Sequence, residues 1–144
     1  MKSEKIAHPL LDGINPNECV SSQLNRVSRV INKIFRSHLK PMNITLSQLG
    51  IMFLLGKKKN IYQSEVAAFL KLDPSTLTRD LERLIKKGFV QKSGYANKPN
   101  LDLTEGGFVH LEKTIPYWKK AQEEVAEVFD GEGISSVNYL FAKI

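Results

Sequence analysis

The hydrophobic positions of this chain recur at helical spacing near its start. From residue 20 to residue 35, apolar side chains return every three or four positions, which predicts one long amphipathic helix. Asn15, followed by a proline and by Glu18, predicts a capped start for this helix, and Pro41 predicts its end near Leu39. The members of the stripe are Val20, Leu24, Val27, Ile31, Ile34 and Phe35.

A similar apolar stripe runs through the last third of the chain and continues for about three heptads. Pro116 lies inside this stripe and is expected to kink the helix. Gly131 and Gly133 are expected to end it, before a last short helix that reaches Ile144. The members of the stripe are Phe108, Leu111, Ile115, Trp118, Gln122, Val125 and Phe129.

Three shorter helical segments are predicted in the middle of the chain, over 47–55, over 62–71 and from Pro74 onward. The third should have Asp73 as its N-cap and Gly88 just past its end. Its apolar face, which is expected to face the core, carries Leu77, Leu81, Leu84 and Ile85. Its opposite face carries Ser75, Thr76, Arg79, Arg83 and Lys86.

The polar face of this third helix combines small hydroxyl groups at its first turn with basic groups behind them. Such a tip is able to approach base edges in a DNA major groove while the basic groups reach phosphates. An ordinary surface helix with a solvated cationic face is the alternative interpretation.

A hairpin is predicted directly after the third helix. Residues 89–92 and 101–104 alternate apolar and polar positions, and residues 93–100 between them are rich in turn-forming residues. Helix, tight turn, basic helix and hairpin is the order of a winged helix-turn-helix. The predicted fold is therefore mainly α, with a small β-hairpin wing.

Composition agrees with a single globular domain. The 144 residues are 42% hydrophobic and 25% charged, which is typical of a soluble protein with its own core. No apolar run approaches the roughly 20 residues of a membrane span, and no signal peptide is recognised. A single cysteine suits a reducing compartment, so a cytoplasmic protein is expected.

The formal net charge of +6 is unevenly distributed along the chain. Residues 1–44 carry 7 basic and 3 acidic side chains, residues 45–100 carry 10 and 4, and residues 101–144 carry 4 and 8. A basic middle and an acidic end are expected when the middle faces nucleic acid and the end faces protein.

The single domain of residues 1–144 divides into three parts. Residues 45–104 suffice for a winged helix-turn-helix DNA-binding lobe, residues 1–44 supply an N-terminal tail and a dimer helix, and residues 105–144 supply C-terminal dimer helices. The apolar stripes outside the lobe need another surface, which a second copy of the chain is expected to provide. Packing of the two long helices within one chain is the alternative.

Four segments resemble the MarR family of winged helix-turn-helix transcriptional regulators, and the likeness covers nearly all of the chain. They are residues 44–55, residues 72–81 with their Thr-Leu-Thr-Arg run, the exit from the hairpin at 101–106, and residues 116–122. The resemblance implies a homodimeric DNA-binding regulator, such as a repressor, with two winged lobes on a pseudo-palindromic operator. It also implies a small aromatic effector, such as a phenolic compound, between the dimer helices and the lobe.

The resemblance further implies which residues meet DNA. The family's DNA-reading positions match Ser75, Thr76, Thr78 and Arg79. The wing departs from the family pattern, because the usual Asp-x-Arg pair falls at Tyr95 and Asn97, so the arginine that enters the minor groove is missing. Asn97 is still able to read a minor-groove edge, and Lys98 is able to hold a phosphate.

Cys19 is predicted to lie in the first turn of the first helix, where the helix dipole favours a reactive thiolate and Glu18 opposes it. Some members of the family sense hydroperoxides through a cysteine near this point. A thiol-based redox regulator is therefore one alternative function. The interpretation that the sequence favours is a structural, buried thiol.

An enzyme is not expected, and neither is a cofactor or a metal. His8, His38 and His110 lack metal-ligand spacing, Cys19 has no histidine near it in sequence, and no glycine-rich phosphate loop is present. His38 is expected at a polar rim, and Glu124 on a solvated acidic helix face. A winged-helix module that binds protein instead of DNA is the remaining alternative, and the basic face of the third helix argues against it.

Overall fold

The computed structural model describes residues 3–144. It is mainly helical with one small antiparallel sheet, so the predicted fold class is confirmed. The elements in chain order are α1 Val20–Leu39, α2 Leu46–Lys57, β1 Ile61–Tyr62, α3 Gln63–Leu70, α4 Pro74–Lys86, β2 Val90–Tyr95, β3 Lys98–Leu103 and α5 Glu105–Phe141.

The start of α1 differs from the prediction. Asn15 caps a separate 3₁₀ turn over Pro16–Glu18, where its Oδ1 accepts from the Asn17 backbone N–H at 3.0 Å. The helix itself begins at Val20, so Cys19 occupies the N-cap position and does not lie in the first turn. The thiol is also exposed, and the prediction that it is buried was wrong.

The winged lobe is built on α2. Thr45 and Gln48 form a reciprocal capping box at the start of this helix, which satisfies backbone donors that would otherwise lack partners. Most of α2 is buried beneath α4 and the sheet. The largest fully buried side chains of the molecule are Leu39, Leu49, Ile51, Met52, Leu55, Val66, Leu77, Leu81, Leu84, Leu101 and Thr114.

The wing is longer and more regular than predicted. Strands β2 and β3 pair from Val90↔Leu103 to Tyr95↔Lys98, which leaves a two-residue turn at Ala96 and Asn97. Most of the segment predicted as a turn is therefore paired. The two-residue strand β1, which the sequence did not predict, pairs with β3 through Ile61↔Leu101 and gives the strand order β1-β3-β2.

Thr104 fixes the exit of the wing to the end of α4. Its Oγ1 donates to the Gly88 carbonyl at 2.5 Å and accepts from the Gly107 backbone N–H at 3.0 Å, which caps α5. The first turn of α5 lies so close to the start of the wing that a Cβ on Gly107 would be 2.2 Å from the Phe89 carbonyl oxygen. The end of α4 and the start of α5 are therefore held rigidly together.

Pro116 was predicted to kink the long helix α5. Its torsion angles remain helical at Pro116, and the one non-helical residue within it is Asp130, with φ 54° and ψ −174°. Asp130 Oδ1 accepts from the backbone N–H groups of Glu132 and Gly133, each at 3.0 Å, and so caps the last helical segment. The break expected at Gly131 therefore lies one residue earlier.

Helices α1 and α5 pack against each other within the chain. His38 Nε2 lies 2.5 Å from Glu124 Oε2 across this contact, with both side chains partly buried. The Glu124 side chain remains 46% exposed, so the acidic face is solvated as predicted, and His38 lies at the rim of the helix pair. No helix within the described part of the chain is long and apolar enough to cross a membrane.

Candidate nucleic-acid interface

Helix α4 has one face in the core and one face at the surface. Leu77, Leu81 and Leu84 are at most 1% exposed, as their spacing predicts. Ile85 was predicted to join them but is 37% exposed, because it lies at the edge of the apolar arc. The leucines fix the rotation of the helix, so Ser75, Arg79 and Lys86 point away from the core.

The two ends of α4 are held differently. Gly88 has a φ of +77°, and the Phe89 N–H donates to the Leu84 carbonyl at 3.0 Å, which closes the helix as predicted. At the other end Asp73 occupies the N-cap position, but its carboxylate makes no capping bond to the backbone. Asp73 Oδ2 accepts instead from Ser75 Oγ at 2.5 Å, so the predicted capping role of this side chain was wrong.

Two hydroxyls near the tip of α4, those of Ser75 and Thr78, are engaged inside the protein. Ser75 donates to Asp73, and Thr78 Oγ1 donates to the Pro74 carbonyl at 2.9 Å. Gln63 Nε2, from the first turn of α3, donates to the same Thr78 oxygen at 3.4 Å. The hydrogens that these hydroxyls could offer to a ligand are therefore already in use.

The cations of α4 are exposed along its outer face. Within residues 3–144, Arg79 and Lys86 have no ion-pair partner. Arg83 approaches a single carboxylate, that of Asp80, with Nη1 3.9 Å from Oδ1. Arg79 and Lys86 are thus free to meet an anionic surface.

Asp80 is a polar residue of this region that the sequence analysis missed. Only 6% of it is exposed, although it carries a charge. Its Oδ2 accepts from Ser47 Oγ at 2.6 Å, and its Oδ1 accepts from Gln48 Nε2 at 3.5 Å. A carboxylate at the edge of the leucine stripe was the available signal, since a buried charge requires polar partners.

The tip of the wing is polar and exposed. Asn97 lies in its turn, and Tyr95 beside it is 81% exposed. Lys98 Nζ lies 4.2 Å from the centroid of the Tyr62 ring, which places this cation against β1. Lys92 is exposed on β2.

A cavity of about 780 Å³ lies between α1 and the winged lobe. Four cationic side chains line it, namely Arg36, Lys40, Arg83 and Lys87. Ser47 and Gln48, the two partners of Asp80, also contribute to its wall. A cavity lined in this way favours a small anionic ligand over a cationic one.

His110 of α5 lies at the base of the winged lobe. Its ring stacks on Phe89 with centroids 4.3 Å apart, and Nε2 lies 3.0 Å from the Met42 carbonyl oxygen. Burial lowers the pKa of His110 below its ordinary value; the hydrogen bond to Met42 raises it, and Lys87 and Lys113 lower it further. The ring is therefore more readily neutral than an exposed histidine.

Large apolar side chains remain exposed near both ends of the chain. The N-terminal set is Ile6, Leu10, Leu11, Ile14, Val20 and Leu24. The C-terminal set is Val137, Tyr139, Leu140, Phe141 and Ile144. Two such sets near the chain ends form a candidate surface for another protein chain.

Residues 44–94 match a family model described as MarR family. The chain is 26% identical over 127 residues to the uncharacterized HTH-type transcriptional regulator YwoH of Bacillus subtilis, over 87% of this chain and 93% of that protein. Its fold is similar to that of Bordetella bronchiseptica BpsR, with a TM-score of 0.81 and 19% identity over 90% of this chain and 96% of that chain. It is also similar to a mutant of Escherichia coli MarR complexed with operator DNA, with a TM-score of 0.76 and 23% identity over 94% and 98% of the two chains.

The family model covers α2, α3, α4 and most of β2, while the relatives and the solved structures extend over the long helices as well. The buried leucine stripe of α4 lies within the matched residues. The chain therefore resembles the MarR family of transcriptional regulators: the family model matches residues 44–94, and the regulators to which the chain is similar extend over most of its length.

Proposed function

We propose that the protein binds duplex DNA with α4 in the major groove. One observation carries the proposal: Arg79 and Lys86 lie exposed and unpaired, within residues 3–144, on the face of α4 opposite its buried leucines. Lys92 and Lys98 add positive charge on the adjoining wing. The MarR mutant from E. coli that was solved with operator DNA supports the same use of this fold.

The proposed contacts divide into two classes. Arg79 reads a base edge, and the tip residues Ser75, Thr76 and Thr78 approach the same groove. Phosphates are held by Arg83, Lys86 and Lys98, and Asn97 meets a minor-groove edge. Arg83 is the least free of these cations, because Asp80 lies 3.9 Å from it.

We also propose that the active form is a homodimer on a pseudo-palindromic operator. The exposed apolar sets at the two chain ends support this, because water-exposed apolar surface of that kind is stabilised when a second chain covers it. The intramolecular contact of α1 with α5 leaves both sets uncovered. A dimer would place two α4 helices on one duplex.

The cationic cavity supports a small anionic, aromatic effector that releases the DNA. DNA binding by the similar protein BpsR is regulated by 6-hydroxynicotinic acid, an aromatic carboxylate. In this chain Arg83 belongs both to the cavity wall and to the hydrogen-bonded surroundings of Asp80 on α4. An anion that draws Arg83 into the cavity would therefore act directly on α4.

Electrophoretic mobility of a random-sequence duplex at low salt tests the DNA binding. We expect retardation by the wild type and weaker retardation by Lys86→Glu. Lys119→Glu is the matched control, because it makes the same charge change on an exposed position of α5. If both variants retard the duplex equally weakly, the effect reflects the net charge of the protein and not the position of Lys86. If the wild type retards no duplex, a winged helix that binds protein is favoured.

A further inference from the structure

The hydroxyl of Thr78 is fully committed as a donor within the protein. Oγ1 donates to the Pro74 carbonyl at 2.9 Å, one turn earlier in α4, and accepts from Gln63 Nε2 at 3.4 Å. A threonine hydroxyl has one hydrogen to donate. None is therefore left for the purine N7, guanine O6 or thymine O4 acceptors of a major groove.

Thr78 is nevertheless exposed, and it directly precedes Arg79 on the surface of α4. Since Oγ1 is turned toward Pro74 and Gln63, the γ-methyl is the part of the side chain left to meet a ligand. Thymine is the base that carries a methyl group in the major groove, and a threonine methyl is a known type of partner for it.

We infer that Thr78 reads thymine through contact of its γ-methyl with the C5-methyl of the base, and that its hydroxyl hydrogen, which is donated to Pro74, takes no part in reading. The inference rests on the proposed DNA binding and specifies how one residue contributes to it. Gln63 is then a positioning residue, because its amide holds the Thr78 oxygen from α3 and keeps the methyl outward.

Ser75 offers an internal comparison. Its hydroxyl is likewise committed, to Asp73 at 2.5 Å, but serine has no methyl group to present. The Ser75 side chain therefore has neither a free hydrogen nor a methyl group to offer to thymine. Ser75→Ala should leave the sensitivity to deoxyuridine unchanged, whereas removal of the Thr78 methyl should abolish it at one position.

The experiment uses a duplex that the full-length wild type selects from a random pool. Each thymine is replaced in turn by deoxyuridine, which removes the C5-methyl and nothing else. We expect that, at one or more positions in each half-site, loss of the C5-methyl lowers the affinity of the wild type about fourfold.

Two variants separate the methyl from the hydroxyl. Thr78→Val keeps a γ-methyl and lacks the hydroxyl, so it should retain wild-type affinity and the sensitivity to deoxyuridine. Thr78→Ser keeps the hydroxyl and lacks the methyl, so it should bind the thymine duplex about fourfold more weakly and be indifferent to deoxyuridine at that position. Circular dichroism establishes that each variant is folded.

Two results would overturn the inference. The first is normal binding by Thr78→Ser with loss of binding by Thr78→Val, which would give the reading role to the hydroxyl. The second is wild-type binding that no thymine replacement changes. Failure to select any duplex is a different outcome, because it would remove the proposed DNA binding itself.

Discussion

Ser47 Oγ lies 2.6 Å from Asp80 Oδ2, and this hydrogen bond joins α2 to the inner side of α4. Gln48 supports the same carboxylate, and Arg83 lies 3.9 Å from it. Because Ser47, Gln48 and Arg83 also line the cationic cavity, the pair connects the proposed effector site with the proposed DNA-reading helix. A ligand bound in the cavity would be able to change the position of α4, and with it the affinity for DNA, through this contact.

We expect Asp80→Ala to lower the free energy of unfolding by about 1–3 kcal/mol, because the donors of Ser47 and Gln48 lose their acceptor in a buried place. Asp80→Asn should cost less, since its amide oxygen still accepts. Urea denaturation measures both. Glu82→Ala is the control on the same helix, and its exposed position should keep the change within about 0.5 kcal/mol. Equal effects of the Asp80 and Glu82 substitutions to alanine would contradict the structural role.

Arg79 and Lys86 should separate into a base contact and a phosphate contact. Arg79→Ala is expected to weaken binding to the selected duplex by about 1–3 kcal/mol more than binding to random duplex, because a good base contact supplies that much discrimination. Lys86→Ala should weaken both alike. Competition titrations with the two duplexes measure the difference. A uniform loss in Arg79→Ala would show that Arg79 holds a phosphate.

His110 should make the stability of the fold depend on pH. Its pKa in the folded state is lowered, mainly by burial, so the fold favours the neutral ring. That contribution is complete above the ordinary histidine pKa of about 6.5 and is lost as the pH falls through the lowered folded pKa. Stability should therefore decrease on acidification within this window.

The matched variant for this effect is His110→Gln, which keeps a donor for the Met42 carbonyl and cannot titrate. Urea denaturation between about pH 7.5 and pH 5 should show a steeper loss in the wild type than in the variant. Other titrating groups contribute equally to both curves. Parallel curves would mean that His110 does not favour its neutral form in the fold.

Cys19→Ser should keep the DNA affinity and the response to effector, because the thiol lies at the N-cap of α1, outside the lobe that carries α4. Its exposure does leave it open to oxidants. Operator binding before and after dilute organic hydroperoxide, in wild type and Cys19→Ser, is the measurement. Release of DNA by the wild type alone would make the protein a redox regulator, contrary to this expectation.

Local periodicity made much of the fold predictable. The leucine stripe of α4 and Gly88 at its end follow from spacing and from the positive φ that glycine accepts, and both were confirmed. The match of residues 44–94 to the MarR family model agrees with the family resemblance that the sequence segments predicted. The break of α5 could be placed only approximately, because Asp130, and not Gly131, takes the positive φ and caps the last helical segment.

The contacts that shape the site could not be predicted from the sequence. Asp80 depends on a hydrogen bond to Ser47, 33 positions earlier in the chain, and nothing local indicates that pairing. The resemblance implied that Thr78 occupies a DNA-reading position, but only the positions of Pro74 and Gln63 show where its hydroxyl points. Residue types were enough to predict which surface faces DNA. The hydrogen-bond partners of each polar atom could be identified only from its neighbours in the structure.

The salt dependence of DNA binding tests the central claim most directly. Each protomer offers five exposed cations to the DNA: Arg79, which is assigned to a base edge, and four that reach phosphates, Arg83, Lys86, Lys92 and Lys98. A dimer that places most of them on phosphates should give a slope of log affinity against log salt on the order of −6 to −9, and Lys86→Ala should make it shallower by about 2. A slope near zero would contradict DNA binding through α4 and the wing.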